Sequence, residues 1–375
     1  MQKENRAIVL VLDGCGAGAA PDHAKFGDGP QVATVKNVWN AVGGFSAPNL
    51  TKTGFLSACG IPVDSVGRFG RLKELSEGKD SVTGHWEMMG IVTSVPFPTY
   101  PNGFPSDLVA LFTEKTGLEV IGNKPASGTA IIEELGSLHM QTGNPILYTS
   151  ADSVFQLACH EEIVPIERQY ELCRIAREIC IEPNNVQRVI ARPFIGEPGN
   201  FQRTERRKDF PLEPAHNLID VIQDVYGIGV VPELFDGRGF RPVKRTQSNP
   251  QHAEALWKAL ESDAKFIFAN FEDFDMLYGH RNDAKGFAVC LEEFDFILGT
   301  LLDRLEPNDL LILTADHGND PTDASTDHSR EYVPVAIIGE SVQPSTLGDV
   351  DGLTAIGATV ASHLGMDWNI GQSLI

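Results

Sequence analysis

The chain has 375 residues, enough for two or three domains, and 42% of them are hydrophobic, which is enough to build a full core. Its formal net charge of −21 repels polyphosphate and anionic lipid, so nucleic acid and membrane surfaces are not expected as partners. The sequence has no signal-peptide pattern and no run of about 18 apolar residues, so we expect a cytoplasmic protein that does not span a membrane.

Three apolar segments each lead into acidic or histidine residues, a pattern typical of buried strands that open into loops. The segments and the residues that follow them are 7–12 with Asp13, 266–270 with Asp275, and 310–314 with Asp316 and His317. Residues 284–305 carry helical apolar spacing, so the second and third strands are predicted to be parallel and joined by a crossover. A strand at 333–338 and a closing helix at 353–364 complete this part.

In an open, mostly parallel sheet, ligands bind beyond the carboxyl ends of the strands, so the first and last parts of the chain are predicted to share one active-site edge. The middle differs, because four prolines within residues 96–105 lead into it and Pro211 and Pro214 lead out. We therefore predict a discontinuous core, 1–95 and 213–375, interrupted by a cap domain at 96–212. The cap is predicted to contain a helix at 167–180 and a strand at 189–191. The closing helix of the core makes a monomer the expected state.

The last portion of the predicted cap is basic, although the chain as a whole is acidic. Residues 188–209 hold three carboxylates and six cationic side chains, which are Arg188, Arg192, Arg203, Arg206, Arg207 and Lys208. Such a run is most often a solvated surface, but it also predicts a site that receives a phosphate group.

The C-terminal part holds a dense set of groups that bind divalent metals. The candidates are Asp275, His280, Asp316, His317 and His328, and Asp13 from the first strand joins them. Carboxylate oxygens together with imidazole nitrogens suit Mn, Zn or Fe better than Ca. Adjacent Asp316 and His317 diverge after a strand, so each can serve a different ion. The set predicts a two-metal site of the kind that performs phosphoryl transfer.

A polar loop is predicted at residues 79–87, and it contains the nucleophile that we select, Thr83. A threonine hydroxyl bound to a metal is deprotonated more easily than in water. Taken singly, these residues have ordinary interpretations, with Asp13 as a turn residue, Thr83 as a local hydrogen-bonding hydroxyl and His328 as a surface histidine. The hypothesis rests on several strand ends that deliver compatible groups to one edge.

Six longer motifs occur in order along nearly the whole chain. They are DSVTGHWEMMG from Asp80, IGNKPASGTAIIEELG from Ile121, YTSADSVFQ from Tyr148, ARPFIGEPGNFQRT from Ala191, DFDMLYGHRND from Asp273 and TADHGNDPT from Thr314. At these residues the sequence resembles the phosphopentomutases, a family of the alkaline phosphatase-like metalloenzyme superfamily. So many specific motifs in one order are not a short-pattern coincidence.

The resemblance implies an α/β fold, an alkaline phosphatase-like core with a mostly parallel sheet, interrupted by an inserted smaller α+β cap domain. It implies the interconversion of ribose 1-phosphate or deoxyribose 1-phosphate with the 5-phosphate, through a phosphothreonine enzyme and a bisphosphate intermediate. The expected cofactors are two Mn²⁺ ions, with a sugar bisphosphate as activator. The expected partner is a small-molecule sugar phosphate.

The family's site residues carry over to matching positions of this chain. Those implied for one ion are Asp13, Asp316, His317 and the phosphorylated Thr83. Those implied for the other ion are Asp275, His280 and His328. Ser150, Asp152 and Arg192 are implied to meet the sugar and its distal phosphate, and Arg203 of the basic run is taken as a further substrate contact.

The sequence departs from the family pattern in three places. Gly14 follows Asp13 where the family has serine, which removes a hydroxyl near the metals. Residues 31–39 (QVATVKNVW) replace the family's D-T-[IL]-G-H-I stretch. Val230 stands where a phosphate-facing lysine is expected, and losing such a cation typically costs about 2 to 3 kcal/mol of binding. The changes leave the metal chemistry intact and leave the preferred sugar phosphate open.

Two other functions therefore stay open. The same fold also fits a metal-dependent phosphatase or phosphodiesterase, or a phosphomutase for another sugar phosphate. Val230 favours these alternatives, because the expected phosphate-facing lysine is absent. The intact Thr83 segment and the full-size cap favour the pentose phosphomutase. A non-catalytic regulatory relative is expected to have lost a metal ligand or the threonine, and none of these is missing.

Overall fold

The structure is a computed structural model that describes residues 4–150 and 152–375. The chain divides into two compact units, Met1–Pro96 with Pro214–Ile375, and Phe97–Glu213. We call the first the discontinuous unit and the second the inserted unit. Their roles as metal-binding core and cap stay a prediction.

The strands and helices are numbered in chain order. The strands are β1 (Arg6–Leu12), β2 (Arg68–Lys73), β3 (Ile121–Pro125), β4 (Ile146–Thr149), β5 (Val154–His160), β6 (Arg188–Glu197), β7 (Asn200–Arg203), β8 (Lys208–Pro211), β9 (Tyr226–Ile228), β10 (Phe266–Phe271), β11 (Asp309–Thr314), β12 (Val333–Ile338) and β13 (Ser345–Asp351). The helices are α1 (Thr34–Val42), α2 (Pro48–Thr53), α3 (Phe55–Ala58), α4 (Ser81–Met88), α5 (Ser106–Thr116), α6 (Gly128–Thr142), α7 (Ile166–Ile179), α8 (Leu218–Ile222), α9 (Val231–Leu234), α10 (Asn249–Leu260), α11 (Ala284–Leu302) and α12 (Thr354–Leu364). Short 3₁₀ turns occur at His23–Phe26 and Gly279–Arg281, and a π-helical turn at Phe274–Tyr278.

The discontinuous unit is built on a seven-stranded sheet in the order β13-β2-β12-β11-β1-β10-β9. Within this sheet β12 runs antiparallel to both of its neighbours, and every other neighbouring pair is parallel. The sheet is therefore mostly parallel. The strands predicted at 7–12, 266–270, 310–314 and 333–338 are confirmed to within one residue at each end.

The register around β1 explains how residues distant in the sequence meet. Leu12 pairs with Phe271, and Val11 pairs with both Asn270 and Thr314. Parallel strands in this register end at the same level, so the residues that follow β1, β10 and β11 lie along one edge of the sheet. Every residue of β1 after the first is fully buried, as expected for a strand covered on both faces.

Two predicted helices of this unit are confirmed with small changes of their ends. The helix predicted at 284–305 is α11, which ends at Leu302, and the closing helix is α12. α12 packs against β1, β11 and α4. A Cβ atom on Gly357 of α12 would lie 2.4 Å from the backbone oxygen of Met88, so this glycine lets α12 approach the end of α4 closely. The packing fixes α4, the helix that carries Thr83.

The inserted unit has a sheet in the order β3-β4-β5-β6-β7, with β8 paired to β6. Successive residues of a strand point to opposite faces. On one face Leu157 of β5 packs with Phe112 of α5 and Leu172 of α7, and on the other Ala158 packs with Ile131 of α6. Helices therefore cover both faces. The helix predicted at 167–180 is α7, and the strand predicted at 189–191 is part of β6.

The architecture confirms the predicted fold class, an α/β core whose chain is interrupted by a smaller α+β unit. The helices formed by residues 4–150 and 152–375 include none that is long and apolar enough to cross a membrane.

Candidate metal centre

The carboxyl ends of β1 and β11 bring Asp13, Asp316 and His317 together. His317 Nε2 lies 3.4 Å from Asp13 Oδ1 and 3.3 Å from Asp316 Oδ2. One donor atom from each of the three side chains falls within 4.8 Å of the others, and all three residues are buried. This group, cluster A, has the carboxylate and imidazole composition of a transition-metal site.

A second group, cluster B, follows β10 and β11 and consists of Asp275, His280 and His328. His280 Nε2 lies 3.0 Å from Asp275 Oδ2, and His328 Nε2 lies 3.4 Å from Asp275 Oδ1. The two Nε2 atoms of His280 and His328 are 3.2 Å apart. The His317 ring stacks on the His328 ring with a centroid distance of 3.8 Å, so His317 joins the two clusters.

Burial and mutual contact shift the pKa values in both clusters. Burial raises the pKa of Asp13 well above its ordinary value, and the carboxylates of Asp316 and Asp275 raise it further. Burial also acts to raise the pKa of Asp275, but hydrogen bonds from His280 and His328 outweigh it and hold this pKa well below its ordinary value. Imidazolium protons and divalent cations neutralise the same carboxylates, so metal binding here competes with protonation.

The orientation of the carboxylates in cluster A tests whether a metal fits. Asp13 Oδ1 and Asp316 Oδ2 are buried and have no hydrogen-bond partner among the described residues. The second oxygen of Asp13 accepts a hydrogen bond from Asn270 Nδ2 at 2.6 Å, and that of Asp316 accepts from the backbone N–H of Gly14 and of His317 at 3.1 Å each. Buried carboxylate oxygens without donors are costly unless a cation binds them, so the residues fit a divalent metal ion.

The prediction of a loop at residues 79–87 is wrong, because residues 81–88 form α4. Asp80 is the N-cap, and its Oδ1 accepts from the backbone N–H of Val82 at 3.0 Å and of Thr83 at 3.2 Å. The Thr83 hydroxyl oxygen accepts from the Asp80 backbone N–H at 3.4 Å, which completes a capping box, and the hydroxyl donates to the Asp80 backbone oxygen at 2.9 Å. The signal in the sequence was the spacing of Asp80 and Thr83, which matches a capping box with threonine in the place of glutamate.

The first turn of α4 lies against the metal centre. Ser81 Oγ is 3.1 Å from His317 Nε2. A Cβ atom on Gly84 would lie 2.4 Å from the backbone oxygen of Asp316, so only glycine permits this approach. Thr83 is fully buried in the same turn. Its role as metal ligand and phosphate carrier stays a prediction, because its hydroxyl here bonds within the capping box.

Three residues that the sequence analysis did not single out hold members of the clusters. Asn270 fixes Asp13, Asn319 Nδ2 donates to Asp275 Oδ1 at 2.6 Å, and Ser81 contacts the shared histidine. Asn270 is the penultimate residue of β10, which is otherwise apolar, and it is fully buried. A polar residue at such a position indicates a specific hydrogen-bonding role, since buried amides need partners.

Two of the departures from the family pattern lie at this centre. Gly14 has a φ of +72°, and a Cβ atom there would lie 3.2 Å from Asp275 Oδ1. A serine side chain at this position would therefore lie beside cluster B, and Gly14 provides no hydroxyl there. The changed segment 31–39 begins α1, and Thr34 Oγ1 accepts from the backbone N–H of Asn319 at 3.1 Å and donates to Glu331 at 2.7 Å. The segment therefore still supports the loop that follows β11.

The third departure, Val230, precedes α9 just beyond β9, where its backbone N–H bonds to the buried carboxylate of Glu272. Burial raises the pKa of Glu272 to about 7, although the guanidinium of Arg245, with Nη2 3.7 Å from Glu272 Oε2, opposes the shift. The position where the resemblance implies a lysine thus holds an apolar side chain next to a carboxylate that resists ionisation.

Glu272→Gln is expected to remove a pH-dependent loss of stability. A carboxyl whose pKa is raised on folding, here from 4.5 to about 7, contributes stability below pH 4.5 that is lost as the pH rises through 7. The wild-type protein should therefore lose up to about 3 kcal/mol relative to the variant between pH 5 and pH 8. Urea unfolding with a chelator present, at several pH values, measures the difference. A constant difference over this range would contradict the raised pKa.

The inserted unit holds a separate basic cavity of about 340 Å³. The predicted substrate contacts, Ser150, Asp152 and Arg192 from the family and Arg203 from the basic run, all line it. Arg188 and Arg207 line it as well, so four of the six cations of the basic run surround one space. Burial lowers the pKa of Arg192, and the neighbouring Arg207 lowers it further. Arg188 and Arg207 pair with Asp209 at 3.4 and 2.8 Å, so positive charge remains in excess around the cavity, which suits it to bind a phosphate group.

Comparison with known proteins places these features in a family. The Metalloenzyme superfamily matches residues 215–368, which together with clusters A and B supports divalent metal binding. The phosphopentomutase of Symbiobacterium thermophilum is 48% identical over 98% of this chain and 96% of its own length. That of Carboxydothermus hydrogenoformans is 46% identical over 98% of both chains.

Two solved structures share the fold. The PH0037 protein from Pyrococcus horikoshii has a TM-score of 0.52 at 15% identity, over 98% of this chain and 100% of that chain. A phosphoglycerate mutase from Leishmania mexicana has a TM-score of 0.51 at 13% identity, over 99% and 97%. At these identities the likeness shows the fold alone. The sequence identity to curated relatives over nearly their full length goes further, and it shows that this chain belongs to the phosphopentomutase family.

Proposed function

We propose that the protein catalyses the phosphopentomutase reaction, the interconversion of ribose 1-phosphate or deoxyribose 1-phosphate with the 5-phosphate. The observation that carries the proposal is the meeting of clusters A and B, joined through His317, with the turn of α4 that contains Thr83. Relatives named phosphopentomutase, similar over the whole length, support it. The proposal includes a cytoplasmic monomer that acts on a small sugar phosphate.

The proposed cofactors are two Mn²⁺ ions. The residues that would hold the first are Asp13, Asp316, His317 and Thr83, and those that would hold the second are Asp275, His280 and His328. When bound, such ions neutralise the transferring phosphoryl group and make a coordinated hydroxyl more acidic. Asn270, Asn319 and the backbone N–H of Gly14 orient the carboxylates for this role.

Thr83 is the proposed phosphate carrier. The bond between Thr83 Oγ1 and phosphorus breaks while the free hydroxyl oxygen of the substrate forms the new bond to phosphorus. The proton of that hydroxyl passes to Thr83 Oγ1, and the second transfer returns it to the hydroxyl that is freed on the sugar. The resulting bisphosphate returns its other phosphate to Thr83 Oγ1, and a sugar bisphosphate primes the first cycle. Thr83 is fully buried, which limits the access of water and so disfavours hydrolysis of the phosphothreonine.

The basic cavity of the inserted unit is the proposed site for the phosphate that is not being transferred. Arg192→Gln should therefore raise KM for ribose 5-phosphate by about 10- to 100-fold, because a charge-assisted hydrogen bond contributes about 1.5–3 kcal/mol. Steady-state kinetics on Mn²⁺-loaded protein measure the change. The matched control is Arg206→Gln, since Arg206 is exposed, pairs with Glu161 and does not line the cavity. Equal effects of the two substitutions would contradict the assignment.

A metal-dependent phosphatase is the second candidate, and Val230 favours it because the cation expected there is absent. The two functions differ in their product. Ribose 1-phosphate, Mn²⁺-loaded protein and a catalytic amount of glucose 1,6-bisphosphate are followed by ³¹P NMR. Appearance of ribose 5-phosphate supports the mutase, free phosphate alone supports the phosphatase, and an unchanged spectrum contradicts both for this sugar.

A further inference from the structure

His85 is a fully buried histidine of α4 that the reaction described above does not use. Its Nδ1 lies 2.8 Å from the backbone oxygen of Ser81, and its ring packs against Phe268 of β10 with a centroid distance of 5.5 Å. A carbonyl oxygen only accepts hydrogen bonds, so Nδ1 carries the proton.

This N–H also faces a member of cluster A. His85 Nδ1 lies 3.5 Å from Asp316 Oδ2, and both side chains are completely buried. The other oxygen, Asp316 Oδ1, is held by two backbone N–H groups. Asp316 Oδ2 is the oxygen that has no hydrogen-bond partner within residues 4–150 and 152–375 and that lies 3.3 Å from His317 Nε2. The His85 ring therefore lies beside the oxygen that is oriented to bind metal.

His85 lies between that oxygen and the first turn of α4. It bonds to Ser81, whose Oγ contacts the shared histidine of the clusters, and Ser81 lies two residues before Thr83. Gly84, between Thr83 and His85, allows the turn to touch the Asp316 backbone. One imidazole thus links the position of the helix turn to the position of the carboxylate.

We propose that His85 is a positioning residue, which fixes Asp316 Oδ2 relative to the first turn of α4 and so sets the separation of the cluster A metal and the Thr83 hydroxyl. The inference rests on the proposed function and deepens it. Groups of this kind, which orient a metal ligand without touching the metal, typically change metal affinity by about 10- to 100-fold when removed.

The test compares His85→Asn with His85→Leu. The asparagine amide nitrogen is attached at the same branch point as Nδ1 and can donate to both oxygens, but the shorter side chain leaves a cavity behind it. Leucine fills more of the space and has no donor. A packing role makes asparagine the more damaging replacement, whereas a positioning role makes leucine the more damaging one.

Calorimetric titration with Mn²⁺ and kinetics of the Mn²⁺-saturated enzyme are measured for both variants. We expect His85→Leu to bind Mn²⁺ about 10- to 100-fold more weakly than wild type and His85→Asn to stay within about threefold. We also expect a lower kcat for His85→Leu at saturating metal with an unchanged KM for the sugar phosphate. If His85→Leu fails to fold, His85→Phe, which keeps a ring without an N–H, takes its place.

Wild-type Mn²⁺ affinity in the variant without a donor, or an equal loss in both variants, would overturn the positioning role. The titration does not depend on turnover. If the wild-type protein binds Mn²⁺ but forms no ribose 5-phosphate, the proposed function fails while the Mn²⁺ affinities of the variants still decide the role of His85.

Discussion

Thr83→Ala is expected to lower mutase turnover by at least about 10⁴-fold, the scale seen when a covalent nucleophile is removed. The fold and the two clusters should persist, because their donor atoms come from other residues. The cost in stability should be near 1 kcal/mol, since the substitution removes the hydroxyl that closes the capping box with Asp80. Turnover is followed by ³¹P NMR, and metal content by elemental analysis.

The control for this experiment is Thr83→Ser, which keeps the hydroxyl and the capping box. It should retain measurable turnover and should be phosphorylated by glucose 1,6-bisphosphate, as detected by intact-protein mass spectrometry. Thr83→Ala should show no added phosphate. Full turnover of the alanine variant, or phosphate on another residue, would eliminate Thr83 as the carrier and leave the metal centre without a covalent step.

The strands that carry the metal centre were predictable because their sequences are unambiguous. Segments such as 7–12 and 310–313 are continuously apolar, which suits strands buried on both faces. The edge strand β13, with the sequence STLGDVD, is largely exposed, so no hydrophobic pattern marks it. Its pairing with β2 comes from tertiary contact that a local pattern does not encode.

The clustering of the candidate ligands was predictable, and the residues that orient them were less so. The candidate ligands follow strand ends, and the parallel register of β1 with β10 and β11 brings those ends together. The helical state of residues 81–88 was missed, because a polar segment with a glycine lacks an apolar stripe and depends on its N-cap. The contacts of Asn270 and His85 depend on neighbours far away in the sequence, so no spacing rule reveals them.

The remaining large effect concerns Asp13, a proposed metal ligand whose buried carboxylate is expected to lower the stability of the metal-free protein. Asp13→Asn is expected to stabilise the metal-free protein by about 0.5–2 kcal/mol, as replacement of a strained functional group commonly does. Its pKa is raised on folding from an ordinary 3.8, so ionised Asp13 costs stability increasingly as the pH rises above 4. The advantage of asparagine should therefore be larger at pH 8 than at pH 5, as measured by urea unfolding with a chelator.

Saturating Mn²⁺ should reverse the order of the two proteins. A ligand that binds only the folded state stabilises it by about 4 kcal/mol at a thousand times its dissociation constant. Asp13→Asn should lose part of this stabilisation, because asparagine binds Mn²⁺ more weakly than a carboxylate does. The matched control is Asp295→Asn. Asp295 is a buried carboxylate that accepts from the backbone N–H of Leu50 at 2.7 Å and from Asn49 at 2.9 Å, so its loss should destabilise with and without metal. If Asp13→Asn behaved like this control, Asp13 would be a structural residue and cluster A would lose its central ligand. If Asp13→Asn is instead the more stable protein without metal and the wild type is the more stable one with Mn²⁺, the negative charge at position 13 serves metal binding.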